Sequence, residues 1–423
     1  MKKLLLLVLS LTIVFSIGGN ALADEKIEIS YWGGWNGSDL EAMQTIVENF
    51  NNSQDEIHVN FYYYLWADLF TKLITEYVSG EPADIICVHP FEIGQYAEMG
   101  LYDPEQVKKL GLKAEDYSEA VWNGTFYQGV QYAAPFDTHM HGLFYNKDIF
   151  SEYGIEKIPE TGTELIETAI ALTVDANGKH PGEDGFDKNN VVQYGLSFGM
   201  NHHAIFQWCT LMYQQGETPF TEDMSEVTFD TIKAQNAFQW LQDLIYVYQV
   251  APQGETSYSD SFVNKRAAMV IGGSWDIPKF DSAKLNYGTA PYPQVFEEGY
   301  GFWAAAHILL FPANKNPDPA KQEAAVTFAN WLIDNSNLWV DSGYVTTKLS
   351  THEYVMSKPN IAMWLDLLDG ARYMPAHQKA SQLFSQTAPS PFVSAYSSMI
   401  LEQGDVAQNT EQFIKDLNAI LAE

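Results

Sequence analysis

Apolar positions recur with two periods along this chain. Ile27, Ile29 and Tyr31 alternate with Glu28 and Ser30, which predicts a strand. Leu40, Met43, Ile46, Val47 and Phe50 then fall at helical spacing, with Ser38 or Asp39 placed to cap a helix running to about Asn51. Residues 57–64 read as a strand and 66–80 as a helix closed by Gly80. "ADIICVH" (83–89) is a continuous apolar run, the pattern of a strand buried on both faces of a parallel sheet. A helix from about Phe91 to Met99 follows, ended by Gly100. This alternation predicts a doubly wound α/β lobe.

Farther on, Asn123-Gly124 predicts a hairpin turn between aromatic-rich arms. Residues 142–150 read as a strand entering a helix, and 158–173 as a loop and a capped helix. A strand over 194–198 and helices over 205–215 and 231–248 come next. "NKRAAMVIGGSWDI" (264–277) is a second buried strand ending in two glycines and a tryptophan, much as "ISYWGGW" (29–35) does. Strands at 286–294 and 304–314 precede helices at 319–335, 359–369, 376–386 and 404–422. Ligands of open α/β sheets gather beyond the carboxyl ends of the strands. "WGGW", "HPFE" (89–92) and "GGSWD" (272–276) all sit there.

Composition narrows the partners. Lys2-Lys3, an apolar run from Leu4 to Ile17 and Ala21-Leu22-Ala23 read as a cleavable signal peptide over 1–23, too short to span a bilayer. No cysteine lies near the cleavage point, so a freely exported, periplasmic protein beginning at Asp24 is expected, or a secreted one where no outer membrane exists. About 400 remaining residues predict two lobes. Cys87 and Cys209 are the only cysteines and read as small buried apolar groups. A formal charge of −31 opposes nucleic acid or an anionic membrane as partner. Only Arg266 and Arg372 could clamp a carboxylate or phosphate bidentately, which favours a neutral ligand.

Trp32, Trp35, Trp66, Trp275 and Trp303 fall at strand ends or in loops. Singly, each is explained as well by packing; together they suit stacking on the C–H face of a sugar ring, ringed by Asp, Asn and His hydrogen bonds. "PFDTHMH" places Asp137, His139 and His141 on one side of an extended segment. Hydrogen bonding to a ligand, a structural role, and metal binding joined by His202-His203 all remain open, although no closed ligand spacing is present. Asp175, Asn177, Asp184 and Asp187 offer oxygens for a structural calcium, but Lys179 and His180 break the EF-hand register, so a solvated loop is the default. No nucleophile elbow, P-loop or dinucleotide fingerprint occurs. Among 54 acidic residues a glycosidase pair arises by chance, which leaves a secreted carbohydrate-active enzyme as the alternative function.

"EISYWGGW", "PADIICVH", "GLFYNKDIFSEYGI", "VNKRAAMVIGGSW" and "EAAVTFANWLID" occur in the order seen in extracellular solute-binding proteins of ABC importers, and the chain resembles the carbohydrate-binding group that includes maltose-binding protein. The resemblance spans essentially the whole chain after the leader; Gly162 departs from it, where the family usually has tryptophan. It implies a two-lobed, type II-like periplasmic-binding fold, monomeric and without catalysis or cofactor, closing on a neutral mono- or oligosaccharide for delivery to a membrane permease. Residues 24–138 with 286–335 would form one lobe and 139–285 with 336–423 the other, the chain crossing near 138–142, 280–286 and 335–342. By position, Trp32, Trp35, Asn36, His89, Glu92, Asp137, His139, Trp275 and Asp276 would meet the ligand, with Trp66 and Trp303 beside them and Tyr344 or Trp364 as a further aromatic.

Overall fold

The computed structural model describes residues 26–200, 203–219, 225–255, 257–384 and 390–423. The expected signal peptide and His202 therefore lie outside the described residues. The first strand, β1 (Ile27–Gly33), pairs in parallel with β2 (Ile57–Tyr63) and with β3 (Ile85–Val88). Helices Ser38–Ser53 and Trp66–Ser79 are the intervening crossovers. Ile85 and Cys87 point into one apolar cluster with Tyr31, Phe50 and Phe328, while Ile86 and Val88 point into another with Leu69 and Tyr96. Burial on both faces is why this strand has no polar alternation.

A hairpin of β4 (Phe126–Tyr127) and β5 (Val130–Gln131) stands apart from the main sheet. Its turn is Gln128-Gly129, with φ of 48° and 77°, the left-handed pair that a two-residue hairpin needs. The expected turn at Asn123-Gly124 is instead the end of a short helix, Glu119–Asn123.

The long strand β6 (Ala133–Asn146) joins the two halves of the molecule. Past it come β7 (Val174–Asp175), β8 (Val191–Phe198), β9 (Ala267–Gly273), β10 (Tyr287–Ala290) and β11 (Phe302–Leu310). The main sheet runs β2-β1-β3-β11-β6-β9-β8-β7. Ala133 to Met140 of β6 pair with β11, whereas His141 to Tyr145 pair with β9. Along β11, Ile308 to Leu310 pair with β3 in the first lobe; Phe302 and Ala304, at its other end, join the second-lobe cluster of Phe144, Val270 and Trp364. Both strands thus run through the waist of a two-lobed molecule. A third crossing is β12 (Val345–Thr346), paired with Thr138 and Asp137.

The expected grouping of 286–335 differs at its start. β10 pairs with Leu143 to Asn146, and Tyr287 packs with Phe144 and Phe280 in the second lobe. The return to the first lobe is made along β11, whose nine residues make it long enough to serve both. Alternation shows that a strand exists without showing which sheet it joins. Among the described residues no helix is long and apolar enough to cross a membrane.

Candidate functional site

Between the lobes lies a cavity of about 900 Å³. The loop after β1 brings Trp35 and Asn36 to it, the helix start at 66 brings Trp66, and the end of β3 brings His89. His139 comes from β6, Trp275 and Asp276 from the turn after β9, Trp303 and His307 from β11, and Tyr344 from the last crossing.

The glycines of this region are seats for rings. An added Cβ would stand 2.3 Å from the Trp35 ring at Gly33, 2.1 Å from the Trp66 ring at Gly34 and 2.1 Å from the Trp275 ring at Gly273. Close approach, rather than turn geometry, is what "WGG" and "GGSW" encode. Trp66 and Trp275 keep partial exposure toward the cavity, and Trp275 packs against the cores of both lobes. Trp303 is nearly enclosed and stacks on Phe206 at 3.7 Å between centroids. Trp35 is enclosed as well, but its buried indole nitrogen, like that of Trp303, has no hydrogen-bond partner among the described residues. Unpaired buried donors are costly unless something answers them.

Four expected site residues are placed elsewhere. Trp32 lies within β1, so the pleat turns it away from the neighbouring Tyr31 into the cluster of Leu69, Ile86 and Tyr96; it does not line the cavity. Glu92 accepts from the His89 backbone N–H at 2.9 Å and faces His89 Nδ1 at 3.2 Å. Asp137, with no exposure, accepts from the His307 backbone N–H at 3.0 Å, His307 Nδ1 at 2.7 Å and the Trp339 indole N–H at 2.6 Å, and faces His139 Nδ1 at 3.3 Å. Neither carboxylate lines the cavity. Trp364 is second-lobe core, filling the space beside Gly142. In the polar loop, both Asp175 oxygens accept backbone N–H groups of Asn177, Lys179 and Asp187, while Asn177 and Asp184 are exposed.

Several lining groups carried no signal in the sequence. His307 sits in the run "AAAHILL", and Asp39, expected only as a possible helix cap, receives the Tyr344 hydroxyl at 2.7 Å. Glu41, Glu255, Tyr258, His203 and Phe206 also line the cavity. Desolvation pushes Asp39 up to about 8 against the pull of Tyr344, and pushes Asp276 up to about 6 although Tyr258 donates to it at 2.7 Å. Burial lowers His139 to about 4 and lowers His307 too. For Asp137 burial acts upward, but the two histidines outweigh it and hold the carboxyl well below the usual range.

Among the described residues, the lining acids Asp39, Glu41, Glu255 and Asp276 face one lining lysine, Lys279, which already meets Asp260 at 2.7 Å. Neither arginine lines the cavity. An anion would find no free guanidinium there, whereas a neutral polyol or a cation suits the field.

Comparison with known proteins agrees with this architecture. The chain is 23% identical over 327 residues to a maltotriose-binding protein of Pyrococcus abyssi, a match covering 75% of this chain and 66% of that protein, just under two thirds of its length. It is 25% identical over 365 residues to an sn-glycerol-3-phosphate-binding periplasmic protein of Brucella abortus, covering 82% and 80%. A maltose/maltodextrin-binding domain from Bdellovibrio bacteriovorus, bound to maltotriose, has the same two-lobed fold with a TM-score of 0.79 at 21% identity, covering 94% of this chain and all of that one. Residues 34–338 match the model of the bacterial extracellular solute-binding proteins, and this chain belongs to that family.

Proposed function

We propose that this protein is the exported solute receptor of an ABC importer, holding a neutral mono- or oligosaccharide between its lobes and presenting it to the permease as a monomer. The observation that carries the reading is the cavity itself. Its volume falls within the roughly 300–1,000 Å³ of small-molecule sites. Trp66 and Trp275 offer ring faces from the two lobes, and the rim is polar and acidic without a free arginine. Indole faces cover the apolar side of a sugar, each contributing on the order of 1–2 kcal/mol. Asp39, Asp276 and Trp35 line the cavity, which supports polar contacts to hydroxyls there. The acidic lining favours a neutral sugar over the phosphate ester that names the Brucella relative. Ligand bridging the lobes favours the closed state, and the chemistry ends there: no bond is broken.

The test is a calorimetric screen of neutral mono- and oligosaccharides alongside sn-glycerol 3-phosphate. A neutral sugar should bind with micromolar affinity, about −8 kcal/mol, and be recovered intact. Binding of the phosphate ester alone would refute the neutral-sugar assignment, and release of cleaved sugar would assign the enzyme alternative.

A further inference from the structure

At the floor of the cavity His89, His139 and His307 bring one ring nitrogen each to within 4.8 Å of one another, and all three residues are buried. They arrive from three separate strands, so the meeting is a product of the fold. Behind each ring stands a carboxylate. Glu92 faces Nδ1 of His89 at 3.2 Å, and Asp137 faces Nδ1 of His139 at 3.3 Å and of His307 at 2.7 Å. A carboxylate at Nδ1 holds the proton on that nitrogen and leaves the lone pair on Nε2. Carboxylate-backed imidazoles are the outer-shell arrangement that orients histidine ligands of metals and raises their basicity.

Packing alone gives no reason for this chemistry. Phenylalanine rings would fill the same space, and they would not need two carboxylates behind them. Three buried imidazoles, each with its Nδ1 facing a carboxylate, gather where a cation between them would satisfy the ring lone pairs that no carboxylate holds. We propose that His89, His139 and His307 bind a divalent transition-metal ion of the zinc type, with its remaining coordination position turned toward the cavity. Imidazole donors suit zinc, copper, iron and nickel, whereas magnesium and calcium demand oxygens. Three nitrogens at ~2.0–2.1 Å from a tetrahedral zinc stand roughly 3.3–3.4 Å apart, so the rings need to close by up to about 1.5 Å. Trp66 stacks on His307 at 5.5 Å and 16°, and Tyr344 stands 5.3 Å from His139, so aromatic rings shield the group on its flanks. Two carboxylates and three neutral imidazoles balance the ion's charge. The remaining position takes an oxygen of water or of the bound solute, and zinc binding itself does not depend on which solute that is.

The purified protein, without a polyhistidine tag and stripped with chelator, is titrated with Zn2+ alone and with Co2+ alone. One equivalent of either ion should bind, Co2+ giving the intense visible bands of a tetrahedral site, and Mg2+ and Ca2+ should fail to compete. Glu92→Gln should weaken zinc about 10- to 100-fold with the melting temperature of the stripped protein held, as loss of an outer-shell partner does. His89→Gln should abolish stoichiometric binding while the circular dichroism spectrum stays native. A folded wild-type protein that takes up neither ion overturns the proposal. Uptake unchanged in both His89→Gln and Glu92→Gln, or matched by Ca2+, also overturns it by moving the ion to the acidic side chains of the surface.

Discussion

Replacing Asp137 with asparagine separates an internal anchor from a ligand contact. The carboxylate takes three hydrogen bonds from His307 and Trp339 and faces a fourth donor, His139, with no exposure to water. Asparagine keeps one acceptor oxygen and turns an NH₂ group toward groups that are themselves donors. Two bonds to a charged acceptor are then lost, at about 1.5–3 kcal/mol each. Relief of the charge's desolvation offsets part of this, leaving a net loss of about 2–4 kcal/mol. That is a large share of the roughly 5–15 kcal/mol that holds a domain together. Urea unfolding followed by tryptophan fluorescence, with chelator present so that no ion contributes, should show a lower midpoint at unchanged slope. The melting temperature should fall by roughly 5–15 °C. A midpoint equal to wild type, together with weakened sugar binding, would refute this reasoning and return Asp137 to the ligand.

Gly34→Ala pushes a methyl into the Trp66 ring, which must swing into the cavity; sugar affinity should drop at least tenfold by calorimetry with a stability loss of about 1 kcal/mol. Trp275→Ala should weaken sugar by about 1–3 kcal/mol and leave the far-ultraviolet dichroism native. Asp276→Asn should stabilise the ligand-free protein at pH 8 by about 2–3 kcal/mol, since desolvation raises the carboxyl to about 6. The sign follows from linkage: a raised carboxyl contributes stability below its ordinary range, and that contribution is lost as pH rises from about 4 to 6, so the variant should lack this slope in its melting curves. Saturating sugar should shrink the radius of gyration in solution scattering, because Trp66 and Trp275 reach the ligand from different lobes; identical curves with demonstrated binding would refute closure.

What the sequence made legible, and what it hid, follows from the range of the forces involved. That the first strands form a parallel sheet could be read because burial on both faces removes polar alternation from "ADIICV", a local signature, whereas their order could not. The tryptophan loops could be placed at strand ends for the same reason. The glycines beside them were legible as glycines but not in their purpose, since a residue under an indole and a residue in a tight turn look alike until the ring is placed. "PFDTHMH" gave the correct side for His139 but not its depth: alternation assigns a face, and only the partner strand decides that Asp137 lies beneath the floor. That partner carries His307, 170 residues away in a run of alanines and leucines where a lone histidine gives no periodic signal. The three-histidine cluster is therefore a property of register. A one-residue slip of β11 against β6 would turn His307 to the opposite face and dissolve it. The irregularity of that register beside His307, between His307 and Ile308, sits where the first-lobe pairing with β3 begins, so the strand that joins the lobes also sets the floor of the cavity.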